Sequence, residues 1–259
     1  MKKLSNIKAI LFDLDGTIYL GDSLIGNVKE TLETIRAKGI KIVFVSNNSS
    51  KTQLQYARKL KKLGIYDKRD IVYTSLDATI DYLKENYAKR TVYPICTKQV
   101  KKYLIKHGIK VRNKADIFLL TFDKDMTYKK IKNGADLINA GKMFIATHPD
   151  VTCPYEPYYI PDVGSFLQMF KASTGKMPDV IVGKPNEIMA KELCFNLSLK
   201  KEEIIMVGDR LYTDILFGVN NKMKSALVLS GETTLESYEK SGIKADLVLK
   251  DVNELVNYI

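Results

Sequence analysis

The sequence predicts an α/β protein with a doubly wound, Rossmann-like parallel-sheet core and a second α/β domain inserted into the chain. Short apolar runs alternate with amphipathic, helix-like stretches along most of the 259 residues, which is typical of a parallel sheet covered by helices. The strand-like runs are apolar throughout, as strands buried on both faces are. Glycines in "AKGI" and "KLGI" mark helix ends just before the next strand begins.

The first third of the chain is predicted to supply three strands of the core sheet. They are the short, mainly apolar runs "AILF", "KIVFVS" and "DIVYTS". Helices are predicted over residues 28–38 and about 52–63, and another helix follows the third strand. This order of strands and helices is that of a parallel sheet.

The middle of the chain is predicted to form a second domain over residues 79–178, inserted between parts 1–78 and 179–259 of the core domain. Strands "TVYPIC", "DIFLLTF" and "KMFIATH" alternate there with helices near 98–107 and 127–140. This segment has 17 lysines and arginines against 9 acidic residues, whereas the rest has 24 against 21. Its "HPDVTCPYEPYYIPDVG" stretch contains four prolines and predicts a long irregular loop, and such loops are often functional.

The last part returns to the core pattern. Strands are predicted at "DVIVGKP", "EIIMVGDR", "SALVLSG" and "DLVLK", with helices at about 187–195 and 213–221.

Composition excludes several classes of protein. A hydrophobic content of 45% can fill a core, and no apolar run approaches the roughly 20 residues of a membrane span. The N-terminus "MKKLSNIKAI" lacks a signal-type apolar stretch, so a cytoplasmic protein without a membrane partner is expected. The three scattered cysteines suggest neither a disulfide framework nor a zinc site. Neither a Walker loop nor a Rossmann fingerprint is present.

The net charge of +11 is concentrated in the middle segment. A basic surface can steer an anionic partner, either a nucleic acid or a small phosphate. The lysines are dispersed along the chain and not clustered in one arm, which favours a solvated surface and argues against nucleic acid as a partner.

Polar residues follow several of the predicted core strands. In doubly wound sheets, functional groups gather at the carboxyl ends of the strands. The residues at these positions are Asp13 and Asp15 after "AILF", Ser46 and Asn47 after "KIVFV", Lys184 after "DVIVG", and Asp209 after "IIMVG", with Asp214 about one helical turn later. Several acids, a lysine and a hydroxyl are therefore expected to meet at one edge.

Such a cluster suits phosphoryl chemistry. Mg²⁺ prefers carboxylate and carbonyl oxygens, and its charge would offset the repulsion between the acids. A carboxylate can attack phosphorus to form an aspartyl-phosphate, and a lysine and a serine can stabilise the phosphoryl oxygens. Asp13 and Asp15 emerge on the same side of an extended strand end, so the second acid could donate a proton to the leaving oxygen.

The motifs "DLDGT", "SNN", "GKP" and "GDRLYTD", in this order, resemble the four motifs of the haloacid dehalogenase superfamily of Mg²⁺-dependent phosphotransferases. More narrowly, "SNNSS", "THPD", "ASTGKMPDVIVGKPN" and "VGDRLYTDI" resemble the NagD-like, 4-nitrophenylphosphatase branch, subclass IIA. That branch inserts a large α/β cap between the second and third motifs, which matches the basic middle segment. The resemblance covers essentially the whole chain and implies Mg²⁺ as the cofactor.

The resemblance also implies roles for the acids. Asp13 would be the nucleophile and a Mg²⁺ ligand, and Asp15 would be the general acid and base while lending its main-chain carbonyl to the metal. Asp209 would be the remaining carboxylate ligand. Asp214 would hold a metal-bound water or Lys184. Dehalogenating members of the superfamily lack an acid at the position of Asp15, so its presence favours phosphate chemistry.

The remaining roles concern the phosphoryl group and the substrate. Ser46 and the amide of Asn47 would bind the phosphoryl group and Lys184 would neutralise it, while Gly16 and Thr17 would shape the loop after the strand. In the cap, "THPD" supplies His148 and Asp150 as candidate substrate contacts, although the branch more often has asparagine at the position of His148.

These observations lead to one main hypothesis and two alternatives. The main hypothesis is Mg²⁺-dependent hydrolysis of a small phosphorylated metabolite through an aspartyl-phosphate. The first alternative is a phosphotransferase that passes the group to a sugar or another acceptor. The second is a basic nucleic-acid-binding module with a vestigial site, against which the retention of the whole cluster argues. The sequence predicts neither the physiological substrate nor the oligomeric state, although the cap surface is a candidate homodimer interface.

Overall fold

The protein is described from a computed structural model that covers residues 4–155 and 157–259. These residues form two compact units. The first unit comprises the described residues up to Ser46, Leu54–Tyr73 and Lys184–Ile259, and the second comprises Asn47–Gln53 and Thr74–Gly183. The first unit is therefore discontinuous in sequence.

The strands of the described residues are, in chain order, β1 Ala9–Phe12, β2 Tyr19–Leu20, β3 Ser23–Leu24, β4 Lys41–Ser46, β5 Ile71–Thr74, β6 Thr91–Ile95, β7 Lys110–Val111, β8 Ile117–Leu120, β9 Met143–Ala146, β10 Thr152–Tyr155, β11 Tyr158–Pro161, β12 Val180–Ile181, β13 Ile204–Gly208, β14 Lys224–Val228 and β15 Leu247–Leu249.

The α-helices are α1 Val28–Ala37, α2 Gln53–Lys62, α3 Ser75–Tyr87, α4 Lys98–Lys106, α5 Tyr128–Asn139, α6 Val163–Thr174, α7 Glu187–Leu197, α8 Leu216–Asn220 and α9 Leu235–Ser241. Short 3₁₀ helices lie at Lys201–Glu203 and Val252–Asn257.

The first unit is built on a six-stranded sheet with the order β15-β14-β13-β1-β4-β5. β1 is a central strand that pairs in parallel with β13 on one side and β4 on the other. All four of its residues are fully buried, which explains why the run is apolar throughout. The chain runs outward from β1 to β5 and returns on the other side at β13. The strand order therefore reverses beside β1, where such sheets form ligand sites.

The second unit has its own sheet, with the order β12-β9-β8-β6-β7. The pairings of β9 with β12, of β8 with β9 and of β6 with β7 and β8 are all parallel. Its core includes stacked Phe118 and Phe144, whose ring centroids are 4.8 Å apart, with Phe170 edge-on to both. The prediction of parallel sheets flanked by helices, with a second α/β unit, is confirmed.

Helix α3 begins at Ser75 because Thr74 caps it. The Thr74 hydroxyl accepts from the Asp77 N–H, and the Asp77 carboxylate accepts from the Thr74 N–H at 2.9 Å. This reciprocal pair satisfies N–H groups that have no partner within a helix. The arrangement places Ser75 at the first helical position, directly after β5.

The proline-rich stretch is not the irregular loop that its composition predicts. Strands β10 and β11 form an antiparallel pair in which Pro154 lies opposite Tyr159 and Pro161 lies opposite Thr152. Proline is tolerated in a two-stranded ribbon because each strand has an open edge, where no partner needs the missing N–H. The prediction was wrong because it treated proline as excluding a strand of any kind.

The helix expected over 213–221 starts differently. A π-helical turn, Leu211–Ile215, precedes α8, and the N–H of Ile215 donates to the Arg210 carbonyl five residues earlier. Single π turns of this kind occur frequently at functional sites. This one carries Asp214.

Among the residues that the structure covers, every helix is too short or too polar to cross a membrane.

Candidate active site

Two acids lie side by side at the carboxyl edge of the first unit's sheet. Asp13 follows β1 and Asp209 follows β13, and the two strands pair in register, with Phe12 opposite Val207. The Asp13 N–H donates to the Val207 carbonyl at 2.9 Å, which extends the pairing to the first acid. On the other side of β1, β4 ends at Ser46. Parallel pairing therefore brings these three predicted residues to one edge.

Lys184 joins two of the acids. Its Nζ donates to Asp13 Oδ1 at 2.7 Å and to Asp214 Oδ1 at 2.6 Å. The other oxygen of Asp214 accepts from the Arg210 N–H at 3.1 Å. Both oxygens of Asp214 therefore already have donors, and its role in this arrangement is to hold Lys184.

The charges of this cluster depend on each other. Burial acts to lower the pKa of Lys184, but the carboxylates of Asp13 and Asp214 outweigh it and raise the pKa above its usual value. The ammonium is therefore retained. Burial, and then the charges of Asp13 and Asp214, raise the pKa of Asp209 to about 8. Burial raises the pKa of Asp214 to about 7, although Lys184 opposes this. Lys184 binds two of the three acids, and among the described residues Asp209 has no cationic side-chain contact of this kind, so the site favours a further cation.

The Asp209 carboxylate accepts one main-chain hydrogen bond and is approached closely by two glycines. Its Oδ2 accepts from the Glu232 N–H at 2.7 Å. A Cβ atom at Gly16 or Gly231 would strike the Asp209 carboxylate, and Gly16 also has a φ of +85°. Only glycine fits at these two positions without moving the acid.

The donor set fits a hard divalent cation. Carboxylate oxygens of Asp13, Asp209 and Asp214 lie within 4.8 Å of one another. Asp209 Oδ1 is buried and has no hydrogen-bond partner among the residues that the structure covers. A buried carboxylate oxygen without a donor is costly unless a cation completes its environment. Mg²⁺, which prefers oxygen ligands, matches these residues.

Asp15 is exposed, in contrast to the other acids. It lies on a tight turn in which the Gly16 N–H donates to the Tyr19 carbonyl at 2.8 Å. The Ser230 hydroxyl donates to the Gly16 carbonyl at 2.7 Å and ties this turn to the segment after β14. Thr17 is fully buried, and its hydroxyl has no partner among the described residues. Gly16 and Thr17 thus shape the turn that presents Asp15 to solvent.

The two predicted phosphate-binding residues, Ser46 and Asn47, lie where the chain passes from the first unit to the second. Ser46 belongs to the first unit and is buried, with its Oγ 3.4 Å from the Tyr56 hydroxyl. Asn47 belongs to the second unit. Its Nδ2 donates to Asp150 Oδ1 at 2.9 Å, and its carbonyl accepts from Ser75 Oγ.

The two candidate cap residues, His148 and Asp150, are also in the second unit. His148 is fully buried, with Nε2 3.0 Å from Asp162 Oδ1 and Nδ1 3.0 Å from Thr147 Oγ1. Asp150 is partly exposed. Ligand atoms of the two residues and Asp162 lie within 4.8 Å of one another, but hydrogen bonds to neighbours already engage both nitrogens of the imidazole.

Several residues of these arrangements were not predicted. Ser75 stands at the end of "DIVYTS", the same strand-end position that identified Ser46, so a signal for it was available. Gly231 ends "SALVLSG" and could have been found in the same way. Asp162 and Thr147 gave no such signal, because hydrogen bonds to His148 depend on the three-dimensional fold.

Comparison with known proteins places the chain among phosphatases. A family model described as haloacid dehalogenase-like hydrolase matches residues 10–110, and one described as HAD-hydrolase-like matches residues 181–255. Acid sugar phosphatase from Staphylococcus aureus is 34% identical over 255 residues, which are 98% of each protein.

Solved structures agree with this. The 4-nitrophenylphosphatase from Thermotoga maritima superposes with a TM-score of 0.95 at 39% identity, covering 98% of both chains. The p-nitrophenyl phosphatase from Archaeoglobus fulgidus gives a TM-score of 0.92 at 26% identity, covering 100% of both. The resemblance to the 4-nitrophenylphosphatase branch that the motifs predicted is confirmed.

Proposed function

Because the chain belongs to the haloacid dehalogenase-like hydrolases, we propose that it hydrolyses small phosphomonoesters with the aid of Mg²⁺ and through an aspartyl-phosphate on Asp13. The observation that carries the proposal is the cluster at the carboxyl edge of the first sheet. There Lys184 joins Asp13 to Asp214, and Asp209 holds an oxygen without a donor.

Asp13 is the proposed nucleophile. One of its oxygens accepts from Lys184 at 2.7 Å, which fixes the orientation of the carboxylate. In the first step, an oxygen of Asp13 forms a bond to phosphorus while the bond from phosphorus to the ester oxygen breaks. The Lys184 ammonium, held by Asp214, neutralises charge on the phosphoryl oxygens.

Asp15 is the proposed general acid and base. In the first step its protonated carboxyl donates to the departing ester oxygen. In the second step its carboxylate takes a proton from water, whose oxygen attacks phosphorus as the bond to Asp13 breaks and inorganic phosphate leaves. Its exposure is consistent with both transfers, because the acid must reach a substrate and a water.

Mg²⁺ would be held by the carboxylates of Asp13 and Asp209 and the main-chain carbonyl of Asp15. When bound, it would supply positive charge that screens the acids and polarises the phosphoryl oxygens. Gly16 and Gly231 keep Asp209 in place for this purpose.

Ser46 and the main-chain N–H of Asn47 are the proposed donors to the phosphoryl group. His148 and Asp150, which the sequence predicts as candidate substrate contacts, both belong to the second unit. We further propose that residues 79–178 select the substrate. Sugar phosphates are the first class to test, because the Staphylococcus aureus relative is named an acid sugar phosphatase.

The decisive experiment measures release of inorganic phosphate from a panel of sugar phosphates, nucleotides and other phosphorylated metabolites. It is run with Mg²⁺ and with a chelator, and Asp13→Ala is the blank. Metal-dependent release that is lost in Asp13→Ala is expected. Turnover retained by that variant would rule out the mechanism. Competing acceptor alcohols in the same assay separate hydrolysis from phosphoryl transfer, since transfer yields a new phosphate ester.

A further inference from the structure

Asn47 is held from two directions within the second unit. Its side-chain Nδ2 donates to Asp150 Oδ1 at 2.9 Å, and its main-chain carbonyl accepts from Ser75 Oγ at 2.5 Å. The side chain and the carbonyl both branch from the Asn47 Cα atom. Holding both fixes the orientation of the Asn47 Cα atom, and therefore the position of the main-chain nitrogen bonded to it.

The surroundings leave Asn47 little room to turn. A Cβ atom at Gly183 would lie 2.6 Å from Asn47 Oδ1 and 2.7 Å from the Thr147 carbonyl. Asn47 is itself only 5% exposed. Its conformation is therefore set by packing as well as by hydrogen bonds.

A chain of hydrogen bonds runs from Phe122 through Ser49 and Thr147 to His148, next to the residues that hold Asn47. The Phe122 N–H donates to Ser49 Oγ at 2.8 Å, and Ser49 Oγ lies 2.8 Å from Thr147 Oγ1. Thr147 Oγ1 lies 3.0 Å from His148 Nδ1. When the imidazole is neutral and its Nε2–H donates to Asp162, Nδ1 accepts from the Thr147 hydroxyl, and every group in the chain has a complementary partner.

His148 ends this chain at Asp162 and also faces Ser75. Its Nε2 lies 3.0 Å from Asp162 Oδ1, an oxygen that also accepts from the Val163 N–H at 2.7 Å. Ser75 Oγ lies 3.5 Å from Nδ1 of the same imidazole. The imidazole thus packs against the hydroxyl that holds the Asn47 carbonyl.

We propose that Asp150 and Ser75 are positioning residues for phosphoryl binding, acting through Asn47, and that His148 supports Ser75. This rests on the proposed function, in which the Asn47 N–H donates to the phosphoryl group. A carboxylate is a poor direct partner for a phosphate dianion because their charges are alike. Holding an amide that in turn binds phosphate is a role that Asp150 can perform without this repulsion.

The proposal differs measurably from a direct substrate contact. A residue that touches the organic part of the substrate changes the ranking of substrates. A residue that positions a phosphoryl donor changes the affinity for all substrates and for inorganic phosphate by a similar factor. It also raises KM more than it lowers kcat where the donor binds substrate and transition state equally.

The first test measures competitive inhibition by inorganic phosphate, together with kcat and KM for three sugar phosphates and 4-nitrophenyl phosphate. Asp150→Ala removes the acceptor for Asn47 Nδ2 and is expected to weaken phosphate inhibition roughly tenfold. Asp150→Asn keeps an acceptor oxygen and is expected to stay within about threefold of the wild type. Ser75→Ala is expected to resemble Asp150→Ala.

Asp116→Ala is the matched control. Asp116 is another carboxylate of the second unit that accepts an N–H, in its case the main-chain N–H of Thr91 at 2.8 Å, and it is remote in sequence from the segment under test. It should lower stability without changing phosphate inhibition. If Asp150→Ala leaves inhibition by inorganic phosphate unchanged but alters the ranking of substrates, Asp150 contacts the substrate directly and is not a positioning residue.

A second readout does not need activity. Amide hydrogen exchange at residues 47–50 is expected to speed up in Asp150→Ala and Ser75→Ala, but not in Asp116→Ala. Unchanged exchange in both test variants would refute the proposal even if no substrate is found. If exchange is faster in the two test variants but the wild-type protein releases no phosphate from any substrate, the positioning of Asn47 by Asp150 and Ser75 is supported and the proposed function is rejected.

Discussion

Asp214 accepts a hydrogen bond from Lys184 at 2.6 Å, and neither side chain is more than 2% exposed. An ion pair at this depth has little water to replace either partner. The Lys184 ammonium has a second carboxylate partner, Asp13, at 2.7 Å. The lysine is therefore both a counter-charge for the fold and a contributor to the proposed chemistry.

Lys184→Met should destabilise the protein by about 3–5 kcal/mol, because it leaves the buried carboxylate of Asp214 and the partly buried carboxylate of Asp13 without their cation. Urea unfolding with a chelator present measures this loss. The double variant Lys184→Met/Asp214→Asn should recover part of it. Lys224→Met is the control, since Lys224 is about half exposed where it pairs with Asp246, and a surface pair contributes only about 0–1 kcal/mol. Equal losses in the two single variants would contradict the prediction.

Asp15→Asn should discriminate between leaving groups. A general acid typically contributes about 10²- to 10⁴-fold, and the need for it is greatest when the departing oxygen is strongly basic. Turnover of a sugar phosphate should therefore fall much further than turnover of 4-nitrophenyl phosphate. The measurement is kcat on both substrates. An equal fall on the two would indicate that Asp15 acts on the fold or on the metal and not as an acid.

Mg²⁺ should stabilise the wild-type protein against heat, and Asp209→Asn should lose most of this effect. At 100 times the dissociation constant, a ligand that binds only the folded state adds about 2.7 kcal/mol. Thermal unfolding with Mg²⁺ and with a chelator measures the difference without any substrate. Asp246→Asn, an acid of the same unit that pairs with Lys224, serves as the control. A full Mg²⁺ response in Asp209→Asn would remove that residue from the ligand set.

Cys96 should resist thiol reagents in the folded protein. Burial, and then the charge of Asp123, raise the pKa of its thiol to about 12. Below that pH the thiol keeps its proton, and the thiolate is the reactive form. Labelling at pH 8, followed by peptide mapping, should mark Cys153 before Cys96, because Cys153 is partly exposed. Cys96 should react at pH 8 only after denaturant is added, and rapid native labelling would show that its environment opens.

The acids could be predicted because each follows an apolar strand directly. Asp13 and Asp209 stand at strand ends that the sequence makes visible, and parallel pairing then brings them together. Gly16 was predicted as part of the loop after the first strand, but the close approach of Gly16 and Gly231 to Asp209 was not, since it depends on a side chain distant in sequence. The π turn that carries Asp214 was not predicted, because it differs from an α-helix only in its hydrogen bonding.

The second unit shows the limits of sequence patterns more clearly. Prolines suggested an irregular loop, yet the β10–β11 pair accommodates them because both strands have an open edge. Asp162 lies 14 residues after His148 in the chain, so neither spacing nor composition could predict that they are partners. Residue types could identify candidates there, but not their partners.

The pairing of β1 with β13 has a consequence for synthesis on the ribosome. Ala9 lies opposite Ile204, so the central strand must wait for nearly 200 further residues before its second neighbour exists. At about 5–20 residues per second, that delay is roughly 10–40 s. The second unit is encoded entirely between these two strands and can fold first. Until β13 has been synthesised, one edge of the fully apolar strand β1 stays unpaired in the nascent chain. A chaperone would be expected to bind at this edge.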